Sequence, residues 1–261
     1  MTLLELPMST VVAFKNPNGL VLAADSQVTF GRSRDSNIFQ SYYKVNQVGA
    51  LPILTGMWGA GFLCGHDVST ALKEFWHTRF EDRTPDSWTV HEVAEDLLAF
   101  FRDKAGGRTS KNALQMLVGG YSKGVFYPDL LEFSTARTTV TPVSEGEHSI
   151  VVWRGISQGI RTLWWGYGPN FDSILKKNGV VDPKVRQAIQ DQMQKAWAWG
   201  PERMSFNMPI ENAARLCEFL VNLEVVRQQC WPGTTRTSGP VDVAVVTAGG
   251  VRWVHRKEGV R

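Results

Sequence analysis

Three things are scarce in this sequence, and each scarcity closes off a class of function. Cysteine occurs only at Cys64, Cys217 and Cys230 in 261 residues. Their wide spacing and odd number give neither a metal motif nor a disulfide framework, which fits a reducing compartment. No apolar run approaches the roughly 20 residues that span a bilayer. Residues 1–8 are too short for a signal peptide and lack a basic leader, so the cytoplasm is the expected location, with no membrane partner. Charge of one sign is also missing in excess. The 28 Lys and Arg against 25 Asp and Glu leave a net charge of +3, which argues against a nucleic-acid partner. The five histidines are dispersed without ligand pairing, so no metal and no cofactor are expected. Repeats, low-complexity tracts and long linkers are missing too.

What is present is ordinary globular material, 43% apolar and 20% charged, long enough to bury a sizeable core. The stretch that organises it lies near the start. Val11, Val12 and Phe14 have strand character, Asn16-Pro17-Asn18-Gly19 is dense in turn formers, and Leu20 to Ala24 is a short apolar run suited to a buried strand. Asp25 ends that run. A carboxylate there must be paired or hydrogen-bonded, or it costs several kcal/mol. Ser9 and Thr10, small hydroxyl residues, sit one hairpin away. Together they suggest a nucleophile and its charge partner.

Further along, Tyr42 to Val48 and Leu51 to Met57 read as strands, and Gly56, Gly59, Ala60 and Gly61 lead into a helix over about Asp67 to Arg79. Thr89-Val-His-Glu92 is a capping-box pattern opening a second helix, which Gly106-Gly107 ends. Ala113 to Tyr121 and Gly124 to Phe133 read as a hairpin across Ser122-Lys123. Thr138 to Val143, Ser149 to Trp153 and Arg161 to Trp165 read as shorter strands. Helices follow near Asn170 to Lys177, over Pro183 to Trp199, and from Ile210 to Gln229. In the last, Ala213, Leu216, Cys217, Leu220, Leu223 and Val226 face inward. Val241 to Thr247 and Val251 to His255 close the chain as a hairpin. Grouped strands and grouped helices argue for α+β over alternating winding.

In sequence, Ser9-Thr-Val-Val-Ala-Phe14 and Gly19-Leu-Val-Leu-Ala-Ala-Asp25-Ser26 resemble the opening hairpin of proteasome β-type subunits and their bacterial homologues, which are N-terminal-nucleophile hydrolases. The resemblance continues, in order, at Tyr43-Lys44-Val45, Leu54 to Gly61, Leu163 to Gly168 and Thr237 to Val246. It implies a four-layer αββα sandwich of two antiparallel sheets flanked by helices. It also implies one hydrolase domain over residues 9–261 and a homo-oligomeric double ring with sites facing a chamber that admits peptides or unfolded proteins. It carries no expectation for an ATPase partner.

Residue by residue, the resemblance implies that Ser9 is the nucleophile and that its own α-amine, once free, is the base. Such an amine titrates near 8, closer to neutrality than a lysine near 10.4. Counting back from Gly19 and Asp25 lands on Ser9. Thr10 would need a one-residue shift, which turns a side chain to the other sheet face. Residues 1–8 are then a propeptide, or translation begins at Met8. Asp25 is expected to orient Lys44, across a loop longer than usual. Gly59 is expected to donate its N–H to the oxyanion, with Gly56 or Gly61 as alternatives. Ser238 supports the nucleophile. Two positions depart from the pattern: Tyr167 stands between Gly166 and Gly168 in place of serine, and Thr235 in place of aspartate. Two other readings are a ring-forming scaffold with weak or silent chemistry, and an acylase of small amides.

Overall fold

The structure, a computed structural model, describes residues 9–30, 37–39, 42–63, 65–80, 88–106, 113–143, 149–197, 208–230 and 235–257. Residues 1–8, the polar stretch 31–36, Cys64 and Trp199 lie outside them, and with them the expected propeptide. Two compact units emerge: one holds the described residues up to Ile156 and from Met208 onward, the other holds Ser157 to Trp197.

In the first unit, β1 (Thr10–Asn16) and β2 (Gly19–Ala24) form the expected hairpin, and every residue of β2 is buried. A two-stranded ribbon follows, β3 (Val28–Phe30) with β4 (Asn37–Phe39). It occupies the enlarged connection between Asp25 and Lys44. Next come β5 (Val45–Gln47), β6 (Ile53–Gly59), and the short pair β7 (Phe62–Leu63) and β8 (His66–Asp67). Helix α1 (Val68–Arg79) starts where the Asp67 side chain accepts from the Thr70 N–H. Helix α2 (Val90–Lys104) starts at the capping box read from sequence, with Thr89 and Glu92 each satisfying the other's backbone N–H. Then follow β9 (Leu114–Gly120), β10 (Asp129–Ser134), β11 (Thr141–Pro142) and β12 (Ile150–Gly155). The second unit contains α3 (Gln158–Trp165), α4 (Phe171–Lys177) and α5 (Pro183–Trp197). The chain re-enters the first unit with α6 (Ile210–Cys230), β13 (Asp242–Thr247) and β14 (Gly250–His255).

Two five-stranded antiparallel sheets result, in the orders β12-β1-β2-β13-β14 and β11-β10-β9-β6-β5. Alternation along β1 and β2 sends Val11, Ala13, Leu20 and Leu22 into one core with Leu54, Leu117 and Leu130 of the other sheet. A one-residue slip would turn all of them out, so the register of the first hairpin is strongly held. A second core joins Ile53, Met116, Val118 and Phe133 to Phe75 of α1 and Leu97 and Phe101 of α2. Helix α6 packs on β1, β2 and β13.

Four expectations need correction. The four-layer αββα sandwich does not describe the chain. The architecture is α+β with two large antiparallel sheets and six helices among the described residues, and three of those helices belong to a second unit. The block pattern of a sequence counts helices but does not say what they cover; α4, for one, buries no residue. Arg161 to Trp165 is helical, not a strand. Ile160 and Trp164 are buried four residues apart, and Gly166, at φ 76°, caps the helix in the left-handed conformation. The turn joining β9 to β10 spans residues 121–128, well beyond Ser122-Lys123. On α6, Val226 is exposed, and its inward place is taken by Val225 and Glu224.

Candidate active site

Asp25 leaves β2 directly opposite the start of β1. Its N–H donates to the Thr10 carbonyl at 3.2 Å, and its side chain turns back onto the same strand. Oδ1 accepts the Thr10 N–H at 2.8 Å and the Lys44 ammonium at 2.8 Å; Oδ2 accepts the Gln27 N–H at 3.1 Å. Lys44 sits just before β5, with its carbonyl accepting the Met57 N–H of β6 at 3.0 Å. Both charged side chains are buried, 2% exposed for Lys44 and 0% for Asp25. Removing two charges from water costs more than their attraction returns unless further hydrogen bonds help, and Asp25 has those. Burial pushes the Lys44 ammonium below its ordinary 10.5; Asp25 opposes that shift, and the Lys257 charge adds to it.

Ser9 lies at the end of this arrangement and is 4% exposed. Its carbonyl accepts the Ile156 N–H at 2.7 Å. Because Asp25 Oδ1 grips the N–H of Thr10, residue 9 stands one peptide unit from the carboxylate that holds the ammonium. Gly155, the last residue of β12, makes this possible. At φ 80° it is left-handed, and a Cβ there would lie 1.9 Å from the Ser9 carbonyl oxygen. Thr10 is tied down separately: its hydroxyl donates to the Ile156 carbonyl at 2.9 Å and lies 3.2 Å from the Thr237 hydroxyl.

Ser238 does not reach the carboxylate directly. Its hydroxyl donates to Gln27 Oε1 at 2.6 Å, its carbonyl accepts the Ser26 N–H at 3.1 Å, and Gln27 donates to the Thr235 carbonyl at 2.6 Å. Thr235 thus supplies a main-chain oxygen where the resemblance leads one to expect an acidic side chain. Gly59 ends β6 at φ 84°, and a Cβ there would lie 2.4 Å from the Ala113 carbonyl oxygen, so this position requires glycine on backbone grounds alone. Tyr167 belongs to the second unit, where it stacks on Trp165 and Phe171 and accepts from Gln194 at 3.2 Å. Among the described residues, no group of three His, Cys, Asp or Glu could hold a metal ion, and no helix is long and apolar enough to cross a membrane.

The structure therefore brings Ser9, Asp25 and Lys44 together and joins Ser238 to them through Gln27. Five participants were not read from sequence: Thr10 as a bonded neighbour, Gln27, Gly155, Asp242 and Lys257. The last two form a second buried pair, with Nζ 2.9 Å from Oδ2 and side chains 4% exposed for Lys257 and 0% for Asp242. Asp242 did leave a signal, an acid between Val241 and Val243 in a buried strand, of the same kind that marked Asp25.

No family model matches the sequence, and no curated protein does. Solved structures do match in fold. Anbu (ancestral beta-subunit) from Yersinia bercovieri superposes with a TM-score of 0.58 at 14% identity, covering 95% of this chain and 88% of that one. A Gly-1 mutant of Anbu from Hyphomicrobium sp. strain MC1 gives 0.56 at 16% identity, covering 95% and 86%. The helical assembly of the Anbu complex from Pseudomonas aeruginosa gives 0.55 at 15% identity, covering 91% and 81%. The resemblance to proteasome β-type subunits and their bacterial homologues is thereby corrected: the neighbours in fold are Anbu proteins, a distinct family. The chain has the fold of the Anbu structures.

Proposed function

We propose that this protein hydrolyses amide bonds of peptides by the N-terminal-nucleophile mechanism, with Ser9 as nucleophile. The observation that carries this reading is the double grip of Asp25 Oδ1 on the Lys44 ammonium and on the N–H that follows residue 9. Once the bond before Ser9 is cut, by self-cleavage or by an aminopeptidase acting behind Met8, residue 9 carries both a hydroxyl and a free amine. The Lys44 ammonium lowers the pKa of either group nearby. The Ser9 hydroxyl attacks the substrate carbonyl carbon while the α-amine takes its proton. The resulting oxyanion accepts from the Gly59 N–H, a kind of contact worth about 3–4 kcal/mol in the transition state. The intermediate expels the amine half, which takes the proton, and water releases the acyl half and restores the hydroxyl. Asp25 keeps Lys44 charged and in place, and Ser238 braces the loop through Gln27.

Copies of the chain assemble around an enclosed space that holds these sites. The helical assembly of the Pseudomonas aeruginosa Anbu complex supports oligomerisation in this fold. The second reading, a ring-forming scaffold with weak or silent chemistry, draws on Tyr167 and Thr235, which replace expected supporting groups.

A hydroxyl-directed covalent peptide probe, mapped by peptide mass spectrometry, tests the proposal. The wild type should be labelled at residue 9, Ser9→Ala should lose the label, and Thr10→Ala should keep it. Label that persists in Ser9→Ala and vanishes in Thr10→Ala moves the nucleophile one residue on. An unlabelled but folded wild type supports the scaffold.

A further inference from the structure

The two buried lysine–aspartate pairs differ in one respect. An ammonium has three protons to donate. Lys44 uses one, on Asp25, among the described residues. Lys257 donates to the Ser26 hydroxyl at 2.9 Å and to the Tyr42 carbonyl, and its Nζ lies 2.9 Å from Asp242 Oδ2 as an ion pair. Lys257 thus spends its side-chain hydrogen bonds on two separate chain segments, whereas Lys44 spends one on Asp25.

The acceptors of Lys257 bracket the other pair. Ser26 follows Asp25, and Tyr42 comes two residues before Lys44. They are the two stems of the connection that carries the β3–β4 ribbon, and the Tyr42 N–H also donates to the Ser26 carbonyl at 3.0 Å. Asp242 stands opposite Ala24 in the β2–β13 register, one residue from Asp25. It fixes Lys257 twice, through the ammonium and through the Lys257 N–H at 2.9 Å. The Ser26 hydroxyl in turn donates to the Pro240 carbonyl, at the entry to β13. The Tyr43 ring lies 4.8 Å from Nζ and covers it.

We infer that Lys257 is a positioning residue: by clasping Ser26 and Tyr42 it holds the two stems together and so keeps the Lys44 ammonium on Asp25. This rests on the reading of Asp25 and Lys44 given above. A long connection between two groups that must meet within about 3 Å needs a tie at its base, since a 1 Å misplacement can cost on the order of a hundredfold in rate. The last described residue of the chain supplies that tie, reaching back to Ser26, two residues past the end of β2, and to Tyr42.

The test compares wild type with Lys257→Met and Ser26→Ala, the second removing one acceptor with little risk to folding. Probe labelling is followed to completion over a range of probe concentrations. Expected for Lys257→Met is a fall of about tenfold or more in the maximal labelling rate. The half-saturating concentration and the final labelled fraction of folded protein should stay unchanged, with a smaller fall in the same direction for Ser26→Ala. A purely structural role would lower the labelled fraction and leave the rate of the folded protein alone; that result overturns the proposal. A second arm does not depend on activity: the 13Cε resonance of Lys44 in lysine-labelled protein should move in both variants. If the wild type is never labelled, the hydrolase reading fails by itself, and an unmoved Lys44 resonance is then what overturns the positioning role.

Discussion

In the proposed mechanism Lys44 is the side chain on which the chemistry turns: it is a buried cation that, among the described residues, donates one hydrogen bond, to Asp25. Replacing it by methionine strands the Asp25 carboxylate without its ion partner, at 0% exposure. Breaking a buried pair in this way costs about 3–5 kcal/mol, and chemical denaturation at neutral pH should read a loss of that size; a change below about 1 kcal/mol would show the pair to be dispensable. The pH dependence has a definite sign. Burial holds the folded pKa of Lys44 below the 10.5 of the unfolded chain, so the unfolded state binds more protons between those two values. The contribution of Lys44 to stability is then fully present above 10.5 and is lost as pH falls through the folded value. The stability gap between wild type and Lys44→Met should therefore widen as pH is raised toward 10.5; a gap that narrows contradicts the assignment. Asp25 was legible in sequence from its place after Leu-Val-Leu-Ala-Ala, and Lys44 only through the family resemblance carried by Tyr43-Lys44-Val45. The roles of Gln27 and Lys257 were not. Their partners include the Ser238 hydroxyl and the Tyr42 carbonyl, each far away along the chain, and no local pattern announces such contacts.

Among the secondary-structure elements, β12 governs the site through a single missing side chain. Gly155 passes the Ser9 carbonyl so closely that Ala would combine a clash at 1.9 Å with a left-handed backbone. The backbone cost alone is about 1–2 kcal/mol, and the clash falls on main chain that cannot swing away. Gly155→Ala should destabilise the protein by more than about 2 kcal/mol and abolish labelling at residue 9. Gly106, at φ 63° and with none of the described residues within 4 Å of the position a Cβ would take, is the control. Gly106→Ala should incur only the backbone cost and leave labelling intact. Equal effects from the two substitutions would mean that the approach of β12 to Ser9 has no bearing on the site. Elements with a strong local signature were legible from sequence: the β1–β2 hairpin, the α2 capping box, and the β13–β14 hairpin, whose turn is Ala248-Gly249. Helix α3 was not. Its short run carries apolar and aromatic side chains that suit a strand equally well, and the deciding feature is a three-dimensional one, the burial of Ile160 with Trp164.

For the whole molecule, the grouping of elements along the chain points to α+β but not to the division into two units, because a unit boundary is a matter of which surfaces meet. Large apolar side chains remain exposed in each unit, Phe126 and Tyr127 in the first and Ile174 and Val181 in the second. These are the places to look for contacts between copies. The fold neighbours were beyond the reach of the motifs, since the Anbu structures share only 14% and 16% identity with this chain. What unites the three scales is the proposal that a chain end is made at residue 9, next to Thr10, whose N–H is held by the carboxylate of a buried ion pair. Intact-mass spectrometry of the active, purified protein tests that most directly. The account predicts the mass of a chain running from Ser9; a stable, active chain that keeps the residues before Ser9 would contradict it.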